Sequence, residues 1–243
     1  MSKYSIMSYN DGDNRTTKAD QIAAILRDCN PDIFGLQEVQ EKHSVYYAEA
    51  LEAYSYVYFD NDGTTYNSQP IYYKKDKFEL LACGIKWISD TPNVRSKYDV
   101  SAYTRSFTYA YLKDKATKEQ FLVVNSHIDY VGAANVKHVE RIVELSREMY
   151  PDTPVFYIAD WNMTPTGAGY AKMLELGCEP VESYLPEADL CGTCVGAGRT
   201  STIDFCFVDK KFWKGVAYKV VRDHEYSDTA SDHYPLYVEI ESI

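Results

Sequence analysis

The sequence is short of basic residues and has no long apolar run. Its 25 Lys and Arg are outnumbered by 36 Asp and Glu, which gives a formal net charge of −11. Binding to nucleic-acid phosphates needs clustered cations, and the densest basic stretch, KKDK at 74–77, carries an aspartate. We therefore expect no strong nucleic-acid-binding patch. No segment approaches the length of an apolar membrane helix, so we also expect no membrane span.

A secretory leader pattern and a cysteine framework are also missing. The start, MSKYSIMSYN, has no long apolar stretch, which favours a cytoplasmic protein, although a secreted or periplasmic protein with its signal peptide removed would look the same. The 6 cysteines permit disulfides, but a chain of 243 residues does not need them. Cys191 and Cys194 form a CxxC without a second pair, which is untypical of zinc sites. We expect loop cysteines of no catalytic use there. The oligomeric state stays open, with a monomer favoured.

The chain does contain a regular succession of short strands with helices between them. Helical periodicity marks four segments: 22–29, 43–54, 135–149 and 168–176. Strand patterns mark 4–10, 33–39, 54–60, 155–160, 203–208 and 234–240. They also mark two strands within 71–89, with a turn at KKDK, and a hairpin of two strands over 105–127. The stretch 178–200 looks irregular. No composition break marks a linker, so we predict one α/β (α+β) domain over 1–243, with two packed sheets and outer helices.

Many of the predicted strands end or begin at a residue suited to binding a metal or moving a proton. These residues are Asn10, Glu38, Asn125, His127, Asp129, Asp160, Asn162, Asp204, Asp232 and His233. Each alone has a structural explanation as a turn former, a cap or a solvated charge. Together they favour a site, because unpaired charges that interrupt apolar strands are costly. The oxygen-rich set predicts a hard cation, Mg²⁺ above all, with Mn²⁺ as the alternative.

Six short motifs resemble those of the endonuclease/exonuclease/phosphatase family, which has the DNase I-like fold. They occur in family order as MSYN, DIFGLQEV, VNSHIDY, ADWN, IDF and SDH, and the matching stretches around them run from Tyr4 to Ile240. The middle of the chain resembles the short bacterial branch of that family. The resemblance implies a four-layer sandwich, with two packed mixed β-sheets flanked by helices. It also implies a Mg²⁺-dependent hydrolase that directs water at the phosphorus of a phosphate ester.

The resemblance implies a role for the residues near the metal ion and the attacking water. Glu38 would bind Mg²⁺, with Asn10 beside it and Asp232 bordering the metal site. Asp160 and Asn162 would orient the water, with Asp160 as the candidate base.

The resemblance also implies how the two histidines act. His233, held by Asp204, would contact the scissile phosphate, and His127 would touch a phosphate oxygen. Many relatives carry a glutamate that pairs with the histidine equivalent to His127, but this chain has the neutral Asn67 and Gln69 in that region. Without that carboxylate, His127 should be less basic, which weakens a leaving-group acid role.

Four residues are expected to contact the substrate, two of them with an equally weighted alternative. Arg105 is either a phosphate contact or a surface hairpin residue, and Asp129 either lines the site or caps the following turn. Asn10 and Asn125 complete the set by their place in the motifs.

Three functions remain open at the level of sequence. The first is hydrolysis of a small or medium phosphate ester, sugar-like or lipid-headgroup-like, which suits the acidity and the 23 tyrosines. Tyrosines at 54–73 and 98–111 offer rings that could stack on such a substrate, although most should be half-buried packing. The second is a DNA or RNA nuclease of the same family. The third is a catalytically silent binding module, which the complete set of site residues argues against.

Overall fold

The computed structural model describes residues 1–12, 18–60, 68–189, 191–194 and 201–243. The strands within these residues are β1 (Lys3–Asn10), β2 (Ile33–Gln37), β3 (Tyr54–Val57), β4 (Ile71–Lys74), β5 (Phe78–Trp87), β6 (Ser106–Asp114), β7 (Gln120–His127), β8 (Val155–Asp160), β9 (Cys178–Pro180), β10 (Asp204–Asp209), β11 (Trp213–Val220) and β12 (Leu236–Ser242). Asn67, one of the two neutral residues noted above, lies outside the described residues.

The strands form two six-stranded sheets. The first has the strand order β11-β12-β1-β2-β4-β3, and the second has the order β5-β6-β7-β8-β10-β9. A parallel pair lies inside each sheet, β1 with β2 and β7 with β8. The other neighbouring strands are antiparallel. The predicted pair of packed, mixed sheets is therefore confirmed.

Helices cover the outer face of each sheet. They are α1 (Ala19–Cys29), α2 (Glu41–Ala50), α3 (Gly132–Met149), α4 (Ala168–Glu175) and α5 (Ser227–Ala230), with a 3₁₀ turn at Val181–Tyr184. Side chains of α1 and α2 pack with the outer face of the first sheet, and those of α3 and α4 pack with the outer face of the second. No helix among the described residues is long and apolar enough to cross a membrane.

The alternation of side chains along the strands explains the four layers. In β1, Tyr4 and Ile6 point into the core between the sheets, whereas Met7 and Tyr9 point toward the helices. In β7, Val123 belongs to the inner core and its neighbours on the chain belong to the outer one. Both faces of the central strands are therefore apolar, and each buried large side chain contributes about 1.5–3 kcal/mol to stability.

Some boundaries differ from the sequence prediction. The KKDK turn carries the chain from β4 in the first sheet to β5 in the second, rather than joining neighbouring strands. β11 escaped prediction because a register shift between Gly215 and Ala217 interrupts its pairing with β12 and breaks the alternating pattern. β9 and the 3₁₀ turn lie in a stretch predicted to be irregular, and α5 is a single turn too short for a periodic signal.

Candidate active site

The polar strand ends meet at one edge of the layer between the sheets. β1, β2, β7 and β8 all end at this edge, and β10 begins there because it runs antiparallel to β8. His127 is paired with Asp160, which is paired in turn with Asp204 on the next strand. These side chains continue the inward-facing series of their strands, so each apolar series finishes in a polar residue. The topology therefore assembles the site that the motifs predict.

The side chain of Asn10 lies between two carboxylates. Its Nδ2 donates to Asp160 Oδ2 at 2.9 Å and to Glu38 Oε1 at 3.3 Å, and its Oδ1 accepts from the Gly12 amide. Burial raises the pKa of Glu38 to about 7; the Asn10 hydrogen bond opposes this shift, and the charges of Asp160 and Asp232 add to it. The repulsion between the two carboxylates is only partly offset by His233, and a bound cation would relieve it further.

Two residues that deliver site side chains adopt left-handed backbone conformations. Glu38 has a φ of 59° and Asn162 a φ of 46°. Asn tolerates this region, but Glu is placed there at a cost of roughly 1–2 kcal/mol. Strain of this kind collects at functional sites, where the surrounding structure holds it in place.

His127 is a buried, neutral imidazole. Its Nε2 lies 2.9 Å from Asn162 Nδ2, and that amide also donates to Ile128 O at 3.1 Å. Because an amide NH₂ can only donate, the histidine proton is assigned to Nδ1, which lies 3.6 Å from Glu38 Oε1. Burial, with the positive charges of Arg105 and His233, lowers the pKa of His127 well below its ordinary value. The direction matches the expectation that His127 is weakly basic, but the cause is burial and positive charge rather than a missing carboxylate, since Glu38 and Asp160 lie 3.6 and 3.5 Å from the ring nitrogens.

His233 has the opposite electrostatic setting. Burial acts to lower its pKa, but the Asp204 carboxylate, at 2.8 Å from Nδ1, and the nearby Cys194 and Asp160 raise the pKa well above its ordinary value. Its Nε2 lies 3.7 Å from Asp160 Oδ2. His233 is therefore a buried imidazolium between two aspartates, and Asp204 is close enough to hold its ring as predicted.

Asp160 stands at the centre of the cluster. Its Oδ1 accepts the Asn162 amide at 2.9 Å, while Oδ2 faces His127 at 3.5 Å, His233 and Asn10. Burial and the charge of Asp204 raise the pKa of Asp160 above its ordinary value, against the effect of these donors. A carboxylate whose pKa is raised toward neutrality suits a general base.

The donor set fits a hard divalent cation. Glu38 and Asp160 supply carboxylate oxygens on either side of the Asn10 amide, and Asp232, which is exposed, adds negative charge to their surroundings. Ligand atoms of Asp160, Asp204 and His233 also lie within 4.8 Å of one another and could hold an ion. In that second group, however, Nδ1 of His233 is already hydrogen-bonded to Asp204.

Arg105 points into the cluster rather than away from it. The residue is only 7% exposed, so it is not a surface hairpin residue. Burial lowers the pKa of its guanidinium, and the carboxylates of Asp160, Asp129 and Glu38 oppose that shift. A buried cation near the Glu38 and Asp160 carboxylates is well placed for an anionic substrate, and the phosphate contact stays a prediction.

The side chain of Asn125 is not at the site, and the substrate-contact prediction for it is wrong. It is fully buried between the sheets, where its Nδ2 donates to Leu36 O and Pro70 O, each at 2.8 Å. Its Oδ1 accepts from Gln37 Nε2 at 2.8 Å. Both amide hydrogens and the amide oxygen of Asn125 are thus hydrogen-bonded to the first sheet and the segment beside it. Asn125 therefore joins the two sheets instead.

Asp129 caps a turn, which is the second of its two predicted alternatives. Its Oδ1 accepts the Val131 amide at 3.0 Å, and its Oδ2 accepts the Tyr103 amide at 2.8 Å. The side chain is fully buried, and both of its oxygens accept backbone amides. It therefore fixes two loops against each other beside His127.

Sequence reasoning missed two supporting residues. Thr193 Oγ1 accepts the amides of Ile203 and Asp204, and thereby fixes the start of β10. Ser231 Oγ donates to Asn10 O at 2.7 Å and accepts the His233 amide. Thr193 lies inside the CxxC of an irregular loop and offers no periodic signal. Ser231 was part of a motif, but its bonding partners come from distant strands.

The described cysteines are all free thiols.

His138 gives the loop beside the site a pH-dependent stability. Its Nδ1 accepts the Asp129 amide at 3.3 Å and its Nε2 lies 2.9 Å from Ser101 Oγ. Burial lowers the pKa of His138 to about 4; the Asp129 charge opposes this shift and that of Arg105 adds to it. The unfolded chain takes up this proton near pH 6.5, so stability should fall as pH drops from there toward 4.

We expect this single group to remove about 3 kcal/mol from the free energy of unfolding across that range. Urea unfolding of the wild type and of His138→Gln, measured at several pH values, checks this. The variant should be less stable near pH 7 but should lose less stability than the wild type on acidification. An equal loss in both proteins would show that His138 takes up its proton in the folded state.

The fold and the site together define a DNase I-like protein. A sequence profile described as the Endonuclease/Exonuclease/phosphatase family matches residues 7–233. The chain therefore belongs to that family. No curated protein matches it significantly in sequence.

Solved structures agree with this assignment. A mannosyl-6-phosphatase from Bacteroides thetaiotaomicron is 27% identical, with 98% of this chain and 99% of that one covered and a TM-score of 0.87. A Bacteroides vulgatus endonuclease/exonuclease/phosphatase structure is 23% identical over the whole of both chains, with a TM-score of 0.90. The catalytic domain of human Nocturnin, 14% identical with 99% and 94% covered and a TM-score of 0.78, shares the fold.

Proposed function

We propose that the protein is a metal-dependent phosphoester hydrolase that acts on a small phosphate ester. The observation that carries this proposal is the arrangement around Asp160, where an imidazolium lies at 3.7 Å, a neutral imidazole lies at 3.5 Å and the Asn10 amide connects the aspartate to Glu38. A base, cationic groups for a phosphate and donors for a hard cation are all present in one buried cluster.

Each side chain of the cluster has its own role in the proposed reaction. Asp160 takes the proton of the attacking water, and Asn162 holds the aspartate through its backbone amide. His233 remains protonated because of Asp204 and places positive charge against a phosphate oxygen. His127 is neutral, and its Nε2 faces the Asn162 amide. It therefore orients neighbouring groups and does not give a proton to the leaving group.

Glu38, with Asn10 and Asp160 beside it and Asp232 at the border, is the set that would hold Mg²⁺ or Mn²⁺. The ion would neutralise the phosphoryl oxygens as charge develops on them. Arg105 is the additional cation that this chain supplies for the phosphate.

A small ester is favoured over a polynucleotide for two reasons. The net charge of −11 and the lack of a basic run give a long polyanion little to bind. In addition, the mannosyl-6-phosphatase named above is among the structures most similar to this chain.

A substrate panel tests the proposal. p-Nitrophenyl phosphate, bis-p-nitrophenyl phosphate, hexose 6-phosphates and supercoiled plasmid are each incubated with Mg²⁺, Mn²⁺ or EDTA. We expect monoester turnover that EDTA abolishes. Plasmid nicking as the dominant activity would favour a nuclease instead, and no turnover of any substrate with either metal would contradict the enzyme assignment.

Glu38→Gln tests the metal assignment with a matched control. The substitution removes the carboxylate charge, and we expect Mg²⁺ binding, followed by calorimetry, to weaken at least about tenfold. Glu182→Gln is the control, because burial raises the pKa of Glu182 to about 7 as it does for Glu38, but Glu182 lies outside the cluster. Equal Mg²⁺ affinity in the wild type and Glu38→Gln would place the ion elsewhere.

A further inference from the structure

Two tyrosines project into solvent next to the buried cluster. Tyr103 is 51% exposed and Tyr130 is 59% exposed, and their rings touch with centroids 5.9 Å apart and planes inclined at 59°. Most other described tyrosines are buried or half-buried. Two adjacent, exposed phenol rings give a surface with an apolar face and two hydroxyl groups, which is a feature of ligand sites.

The pair is fixed to the site through Asp129. This carboxylate accepts the backbone amide of Tyr103 through one oxygen and that of Val131 through the other, so it locks the backbone on either side of Tyr130. The same loop leaves β7 directly after His127, and Asn162 donates to the carbonyl of Ile128 within it. The two rings therefore sit on backbone that is bonded to the catalytic cluster.

Arg105 connects the rings to the phosphate-binding groups. Its guanidinium carbon lies 5.3 Å from the centroid of the Tyr103 ring. The same guanidinium interacts electrostatically with Asp160 and Glu38. A phosphate that contacts Arg105 would thus place its attached organic group within reach of Tyr103, whose ring in turn contacts Tyr130.

We infer that Tyr103 and Tyr130 form the binding platform for the sugar ring of a monosaccharide phosphate. This inference rests on the proposed phosphoester hydrolysis and names its substrate class. A pyranose chair presents C–H groups that pack on an aromatic face, and hydroxyl groups around its edge that can bond to the phenol oxygens.

The ring geometry favours a sugar over a nucleobase. A flat base can stack on one aromatic ring, but it contacts two rings at once only when they are parallel with room for the base between them. Here the rings are inclined at 59° and already touch, so a planar ligand can stack on one of them only. A puckered ring can contact the face of one tyrosine and the edge of the other.

Paired substrates test the platform. The values of kcat/KM for glucose 6-phosphate and mannose 6-phosphate are compared with those for glycerol 3-phosphate, which has no ring, and for a nucleoside 5′-monophosphate. We expect the wild type to prefer at least one hexose phosphate over both reference compounds. In the double variant Tyr103→Ala/Tyr130→Ala, the ratio of hexose phosphate to glycerol phosphate should fall about tenfold, mostly through KM.

Matched variants separate the platform from general damage. Tyr103→Phe/Tyr130→Phe keeps both ring faces and should retain most of the preference. Tyr46→Ala removes another exposed tyrosine, on α2, and should leave the ratio unchanged. If the double alanine variant lowers both substrates equally, or if the nucleotide is preferred, the sugar platform is refuted.

Binding measured without turnover keeps the two proposals apart. Calorimetric titration of each hexose phosphate in EDTA, with glycerol 3-phosphate as reference, reports on the platform even if no ester is hydrolysed. Weaker hexose phosphate binding in the double alanine variant supports the platform whatever the activity. Equal binding of the ringed and ringless phosphates by the wild type overturns it, while an inactive wild type contradicts only the proposed hydrolysis.

Discussion

His233→Asn should lower kcat for phosphoester hydrolysis by about 10³, the loss typical of removing one preorganised stabilising group. The imidazolium is buried between Asp204 and Asp160, so its charge acts in a medium that screens it little. KM should change much less, because the charge on the phosphate grows toward the transition state. Steady-state kinetics on the best monoester of the substrate panel provides the measurement.

Asp204→Asn tests whether the pair acts as a unit. Without this carboxylate the pKa of His233 should fall, so the alkaline limb of the pH–rate profile should move to lower pH. We expect a loss in kcat of about 10², and little further loss when Asp204→Asn is added to His233→Asn. Asp209→Asn is the control, since it removes a second buried carboxylate from the opposite end of β10, where Asp209 caps the following turn.

Two outcomes would count against this role of His233. If His233→Asn keeps more than a tenth of the wild-type kcat, the imidazolium does not stabilise the transition state. If the effects of His233→Asn and Asp204→Asn multiply in the double variant, the two residues act independently, and the hydrogen bond between them serves only the fold.

The cluster could be predicted from sequence because topology and alternation agree. Asn10, His127 and Asp160 each follow an apolar strand at even spacing from buried residues, which places them on the inward face. Parallel neighbours then bring those ends to one edge. Short motifs in family order supplied the partners, and the structure brings most of them together.

The depth of a polar residue along its strand could not be predicted in this way. Asn125 and His127 share the inward face of β7, two residues apart, and both belong to one motif. Asn125 is covered by β2, whereas His127 reaches the edge of the layer. Which residue is covered depends on where the opposite sheet approaches, and the strand pattern does not show this. Arg105 shows the converse, since its hairpin position left a surface residue and a phosphate contact equally open, and only the structure shows that the side chain is buried.

Asn125 and Gly35 lie in close contact between the two sheets. A Cβ at Gly35 would lie 2.7 Å from Asn125 Cγ, so only glycine fits beside the amide. That close approach allows the amide to bond Leu36 O, Pro70 O and the Gln37 side chain. One side chain thus satisfies three polar groups in the layer between the sheets.

Asn125→Ala should therefore destabilise the protein by about 2–4 kcal/mol, because it removes three buried hydrogen bonds and opens a cavity. Gly35→Ala should cost about 1–3 kcal/mol through overpacking against the amide. The double variant should lose clearly less than the sum, since the new methyl group fills space that the asparagine vacated. Denaturant unfolding of the four proteins measures the coupling, and strict additivity would contradict a direct contact. Activity of folded Asn125→Ala near the wild-type value would complete the case that this residue joins the sheets and does not bind substrate.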